Sequence, residues 1–267
     1  MLQQAYDFLY ESEALYECLV PLKEELFDTQ TQFKGWTFND ILAHLHHYNY
    51  LALLSLQDQE CFAREFAAMK GARDAGKTMR EVTGLWLGTI KGRALLNLWR
   101  DFYLEMTESF AQANPKMRVK WAGPEMSVRS SISARLMETW AHAQAIYDAL
   151  GVERVDTDRL QSIAIMGVNT FGWTFINRKQ SPPAEKPYVR LTAPSGAVWE
   201  WNEADQGNKV EGSAVEFCQV VTQTRNTADT SLNLVGPVAE RWMALAQCFA
   251  GAPNDPPAKG SRYRKGR

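Results

Sequence analysis

A chain of 267 residues, 45% hydrophobic and 22% charged, has an ordinary globular composition and enough length for one large domain or two modest ones. Its 29 basic and 31 acidic side chains leave a formal charge of -2, which excludes broad electrostatic attraction to nucleic acid or to an anionic membrane. No uncharged apolar run reaches the ~18 residues of a membrane span, no basic-then-apolar leader is visible, and Cys18, Cys61, Cys218 and Cys248 lack paired spacing, so a cytoplasmic protein with reduced thiols is expected.

From Tyr6 to Leu26, apolar residues return at Phe8, Leu15, Leu19, Leu22 and Leu26, predicting a helix that Pro21 kinks or divides. In KGWTFNDILAHLHHYNYLALLSL, Thr37 followed by Asp40 has the capping-box spacing, with Asp in place of the usual Glu, and the helix should run to about Leu56. A third helix is expected from Glu60 to about Ala72. Thr78 to Phe110 also reads as largely helical, with Gly84, Gly88 and Gly92 either allowing close packing or loosening its middle. Asn114 to Met126 reads as a loop, and Ser127 to Leu150 as a helix ending at Gly151. About four of these are principal helices, and their connections are short enough for a bundle.

The second half begins with helix from Asp158 to Arg178, interrupted near Gly172, followed by the SPPAEKP linker. YVRLTAP and AVWEWN alternate as strands around a Pro194-Ser195-Gly196 turn. KVEGS reads as a strand leading into a helix from Ser213, TSLNLVG as a further strand, and PVAERWMALAQCFAG as a closing helix with Pro237 in its first turn. The expected architecture is a helical bundle over 1–152, a small mixed α+β domain over 153–253, and a basic tail over 254–267. The last nine residues, KGSRYRKGR, are expected to be disordered.

All four histidines fall in two helical segments, AHLHHY and METWAH. Glu138 and His142, four apart, share a helix face, and carboxylate oxygen with imidazole nitrogen suits a borderline divalent ion such as zinc. That spacing alone more often yields an intrahelical hydrogen bond or charge pair. Here, however, the pair sits amid Leu136, Met137, Trp140, Ala141 and Ala143, where a buried carboxylate needs a partner. A third ligand from another helix would leave a position for water or substrate, and His44 is the candidate.

His47 shares the face of His44 approximately and is assigned as an outer donor, proton carrier or substitute ligand. His46 is assigned to the solvated face. Asp40, one turn before His44, can either orient its ring or cap the helix. An anionic ligand would need cations: Arg129 is the substrate-facing candidate and Arg135 the partner of Glu138, with Arg178 and Arg225 as further possibilities. Trp121, in the loop before the late helix, is placed at the mouth of the site. Trp36, Trp140 and Trp173 are assigned mainly to core packing, Trp199 and Trp201 to one strand face, and Cys218 and Cys248 to the core.

GWTFNDILAHL followed by ARLMETWAHAQAIYDALGV resembles the DinB-like metalloenzyme superfamily, in particular its mycothiol-dependent maleylpyruvate isomerase branch. The stretches IMGVNTFGWTFINR, VRLTAPSGAVWEW, FCQVVTQTRNTADTSL and GPVAERWMALAQCFAG resemble an actinobacterial-type subfamily within it. The resemblance implies a four-helix bundle whose divalent metal, zinc first or else nickel, is held by His44, Glu138 and His142; His and Glu ligands leave iron open as well. It also implies a low-molecular-weight thiol such as mycothiol that adds reversibly to a small unsaturated acid, lets a bond rotate and leaves. With the position-based assignments above, catalytic roles are expected for His44, Glu138, His142 and Arg129, and cofactor contacts for Arg135, Trp121 and His47. Metal-water hydrolysis and a non-catalytic ligand-binding bundle are the alternatives. The partner expected is a small-molecule substrate, without nucleic acid or membrane, and apolar bundle faces allow a homodimer.

Overall fold

The computed structural model describes residues 1–266. The chain divides into two compact units, Met1–Ala149 and a second from Leu150 onward. Among the described residues no helix is long and apolar enough to cross a membrane.

The first unit opens with α1, Gln3–Leu19. Pro21 ends this helix instead of kinking it, because a proline there has no N–H to continue the ladder, and a 3-10 turn at Glu24–Asp28 follows. Helix α2, Phe38–Gln57, starts at the expected capping box: Thr37 Oγ1 accepts from the Asp40 N–H at 3.1 Å, and Asp40 Oδ2 accepts from the Thr37 N–H at 2.8 Å. Helix α3, Gln59–Asp74, follows at once, because the Asp58 carboxylate accepts from the N–H groups of Glu60 and Cys61.

The segment read as one long helix is two, α4 (Met79–Leu87) and α5 (Gly92–Gln112). The chain turns through positive φ at Gly88 and again at Gly92. Asn39 Oδ1 accepts from the Gly92 N–H at 2.7 Å and the Glu24 carboxylate from the Arg93 N–H at 3.1 Å, so two side chains satisfy the start of α5. In place of the expected loop, a short hairpin, β1 (Arg118–Val119) with β2 (Met126–Ser127), delivers the chain to α6, Val128–Leu150.

α1, α2, α5 and α6 enclose a core of Phe8, Leu15, Leu42, Leu45, Leu95, Trp99, Leu136 and Trp140, all fully buried. Arg100 and the Tyr103 hydroxyl of α5 both donate to Glu13 of α1, at 3.2 and 2.8 Å, and the Tyr147 hydroxyl of α6 donates to Ala14 O at 3.2 Å. α3 and α4 pack on another side of α2 through Leu51, Phe62, Met69 and Val82. α2 is therefore covered on two sides, which decides the fate of its histidines.

The second unit carries α7 (Gln161–Asn169) and α8 (Phe171–Ile176), broken at Thr170. Strands β3 (Tyr188–Thr192), β4 (Val198–Trp201) and β5 (Lys209–Ser213) come next, then α9 (Ala214–Val221), β6 (Asn233–Val235) and α10 (Pro237–Leu245). The sheet order is β4-β3-β5-β6: β3 and β5 are parallel, with Val189 opposite Val210, and the outer pairs are antiparallel. α9 and α10 bury Phe217 and Trp242, whose rings meet edge to face at 5.8 Å. A helical bundle followed by a smaller mixed α/β region is the fold.

The C-terminal segment departs from expectation. It is tied down: Asn254 Nδ2 donates to Gln223 Oε1 at 2.6 Å, the Gly260 N–H to Asp229, Arg262 to Gln223 O, and Arg264 pairs with Glu153. A basic composition predicted solvation, but the acceptors that hold these groups come from distant parts of the sequence. Arg267, also within that expectation, lies outside the described residues.

Candidate metal centre

The capping box fixes the start of α2, and two turns later His44 projects toward α6. α6 presents Glu138 and His142 one turn apart. The Nε2 atoms of His44 and His142 each lie 3.2 Å from the same atom, Glu138 Oε2. Three ligand atoms, one from each residue, all fall within 4.8 Å of one another. Neighbouring ligands on a tetrahedral zinc with bonds of about 2.0–2.2 Å stand about 3.4 Å apart, so the donor set and its spacing fit one divalent ion with little movement.

Electrostatics favour the ligand-competent forms. Burial lowers the pKa of His44 from its ordinary 6.5 to about 4, overcoming the hydrogen bond to Glu138 that would raise it, so the ring is neutral at pH 7. For Glu138, burial by itself would raise the pKa. Hydrogen bonds to His142 and His44, with the charge of Arg135, outweigh burial and hold the carboxyl well below the usual carboxylate range. A neutral imidazole and an ionised carboxylate are the states a metal requires.

An aromatic collar surrounds the three. The Trp36 ring lies parallel to His142 at 5.8 Å and meets His44 at 5.4 Å, Phe33 stands edge-on to His142 at 4.9 Å, and Tyr48 lies 4.6 Å from His44. Phe33 and Trp36 come from a tight turn that passes through positive φ at Lys34 and Gly35, and the N–H and hydroxyl of Thr31 both donate to Trp36 O at 2.8 Å. Sequence reasoning assigned Trp36 to core packing and singled out neither Phe33 nor Tyr48. Tyr48 was findable, being one helical turn beyond His44.

The remaining sequence-predicted residues separate clearly. Arg135 is brought to the cluster: it is 1% exposed, its Nη2 is 3.9 Å from Glu138 Oε2, and its guanidinium lies 5.5 Å from the centre of the Tyr48 ring. Arg129 is not. It is exposed at the start of α6, nine residues and therefore about 13 Å of helix rise before Glu138. Trp121 stacks on Phe62 at 6.1 Å and meets Tyr48 edge to face at 6.2 Å.

His47 stacks on Trp86 of α4 at 4.2 Å with its Nδ1 3.4 Å from Thr83 Oγ1. His46, expected in solvent, is buried between Trp86 and Phe102, because α4 and α5 cover what would be the outer face of an ordinary bundle helix. Asp40 serves the cap and pairs with Arg80 at 3.4 Å, and among the described residues His44 Nδ1 is buried without a hydrogen-bond partner. In the second unit, Arg178 pairs with Asp255 at 2.8 Å and Arg225 donates to Thr224 O at 2.9 Å.

Comparison with known proteins agrees with this architecture. The family model for the mycothiol maleylpyruvate isomerase N-terminal domain matches residues 8–147. Uncharacterized proteins of Mycobacterium tuberculosis, from strains CDC 1551 / Oshkosh and ATCC 25618 / H37Rv, are each 38% identical over 247 residues, covering 92% of this chain and 95% of theirs. Crystal structures of the mycothiol-dependent maleylpyruvate isomerase and of a histidine-to-alanine mutant superimpose with a TM-score of 0.50 at 16% identity, over 82% of this chain and 87% of that one. The chain belongs to the mycothiol maleylpyruvate isomerase N-terminal domain family, within the DinB-like superfamily.

Proposed function

We propose that the protein is a metal-dependent isomerase or transferase that uses a small thiol cofactor on a small acidic or electrophilic substrate. His44, Glu138 and His142 would hold one divalent ion, zinc in the first instance. The observation that carries this reading is the convergence of two imidazole Nε2 atoms, from helices far apart in sequence, on one carboxylate oxygen at 3.2 Å each. Such an ion, when bound, lowers the pKa of a coordinated thiol and so supplies a nucleophile at neutral pH.

The chain's own residues define the rest. A single carboxylate cancels only part of a dication's charge, leaving the site receptive to an anionic ligand. His44, neutral at pH 7, can donate its lone pair without first losing a proton. Trp36, Phe33 and Tyr48 pack against the two imidazoles and hold them in place. The thiol requirement comes from the family name and is tested directly. Cobalt-substituted protein titrated with mycothiol should gain a near-ultraviolet thiolate-to-cobalt absorption. No such band, together with turnover in thiol-free buffer, would instead identify metal-water hydrolysis.

A further inference from the structure

Arg135 is the charged side chain that the metal-ligand set leaves unexplained. It is 1% exposed, yet among the described residues its Nε and Nη2 both lack a hydrogen-bond partner. The nearest carboxylate oxygen, Glu138 Oε2, is 3.9 Å from Nη2, well beyond the roughly 2.7–2.9 Å of a charge-assisted hydrogen bond, and already has two imidazole nitrogens at 3.2 Å. The Tyr48 ring, 5.5 Å from the guanidinium carbon, offers a π face but no acceptor for these N–H groups. Buried guanidinium donors left unpaired are costly, and a native structure that keeps them has a use for them.

The two unpaired nitrogens are also a matched pair. Nε and Nη2 form the side edge of the guanidinium, whose two parallel N–H bonds suit the two oxygens of a carboxylate. Charge points the same way. A divalent ion with Glu138 sums to +1, and Arg135 makes +2, so a loaded centre places a second cation beside the metal with no compensating anion from the protein. A ligand carrying one negative charge to the metal and another to Arg135 balances that sum.

We propose that Arg135 is the carboxylate receptor of this centre, so that its ligands are small molecules in which a carboxylate and a metal-binding group lie close together. The inference rests on the metal reading above and deepens it: it names the substrate class and the residue that selects it. Arg135 then acts by binding, through its Nε–Nη2 edge, and not only by steadying Glu138.

Calorimetry on the zinc-loaded full-length protein tests this with two probes, mercaptoacetate, which has both groups, and 2-mercaptoethanol, which has the thiol alone. Tenfold or greater preference for mercaptoacetate is expected in the wild type, falling to near parity in Arg135→Gln when both proteins are loaded to the same zinc content. Should Arg135→Gln fail to fold, Arg135→Lys keeps the charge without the side-edge pair and should lose several-fold of the preference. Bound zinc with no preference in the wild type, or a preference that survives substitution of Arg135, overturns the proposal. If the wild type takes up no zinc, the metal reading fails separately. Maleate titrated into the metal-free protein then decides on Arg135: weaker binding in the variant supports it, equal binding overturns it.

Discussion

The indole of Trp36 and the imidazole of His142 lie parallel, 2° apart in plane and 5.8 Å between centres, although one comes from a turn before α2 and the other from α6. That stacking makes Trp36 a built-in reporter of the metal centre. Adding zinc or cobalt to the metal-free protein should change tryptophan fluorescence, and Trp36→Phe should lose most of the change. Trp36→Ala, which removes the face that orients His142, is expected to weaken metal binding by about tenfold, as loss of a ligand-orienting neighbour does elsewhere. An unaltered signal in Trp36→Phe would show that the ring does not sense the site.

Acid should destabilise the metal-free protein well above the pH at which carboxylates protonate. Burial depresses His44, His46 and His47 from 6.5 to about 4. Between those values the unfolded chain binds protons that the folded chain refuses, so stability is full above about pH 6.5 and is lost as pH falls toward 4. Each histidine contributes a loss of about 2 kcal/mol between pH 7 and pH 5, and Glu138 adds to it at still lower pH, since its folded pKa is depressed as well. Denaturant titrations at both pH values measure the loss. His46→Phe, which keeps an aromatic ring between Trp86 and Phe102, should remove roughly a third of it; an unchanged slope would contradict the burial-driven shift.

Gly92 holds the start of α5 at a φ of 60°, and an added Cβ would collide with the Glu24 carboxylate that accepts from Arg93. Gly92→Ala should therefore lower stability by about 1–3 kcal/mol, combining left-handed strain with displacement of Glu24 from the helix start. Thermal unfolding measures this, and a variant as stable as the wild type would show that Glu24 moves aside without consequence.

Much of the bundle was legible because its signals are local. The capping box at Thr37 and Asp40 announced α2, and the four-residue step from Glu138 to His142 placed two side chains on one face. Periodicity could not show that α2 is packed on two sides, so His46 was assigned to solvent. Helical rise already sets Arg129 nine residues and Arg135 three before Glu138, but periodicity does not encode the packing that buries Arg135 against Tyr48. Phe33 was invisible for another reason: its place beside His142 depends on a turn through Lys34 and Gly35 whose shape no hydrophobic pattern encodes. The C-terminal segment is held by Gln223, Asp229 and Glu153, partners too remote in sequence for its local composition to encode.

The central claim is that His44, Glu138 and His142 together hold a single divalent ion. Metal content after reconstitution with zinc and exhaustive dialysis tests it most directly, comparing wild type with folded Glu138→Gln and His142→Ala. The account predicts about one zinc per chain in the wild type and under roughly a tenth of that in either variant, as expected when one of three protein ligands is removed. Equal zinc in all three proteins, or none in the wild type, would contradict it.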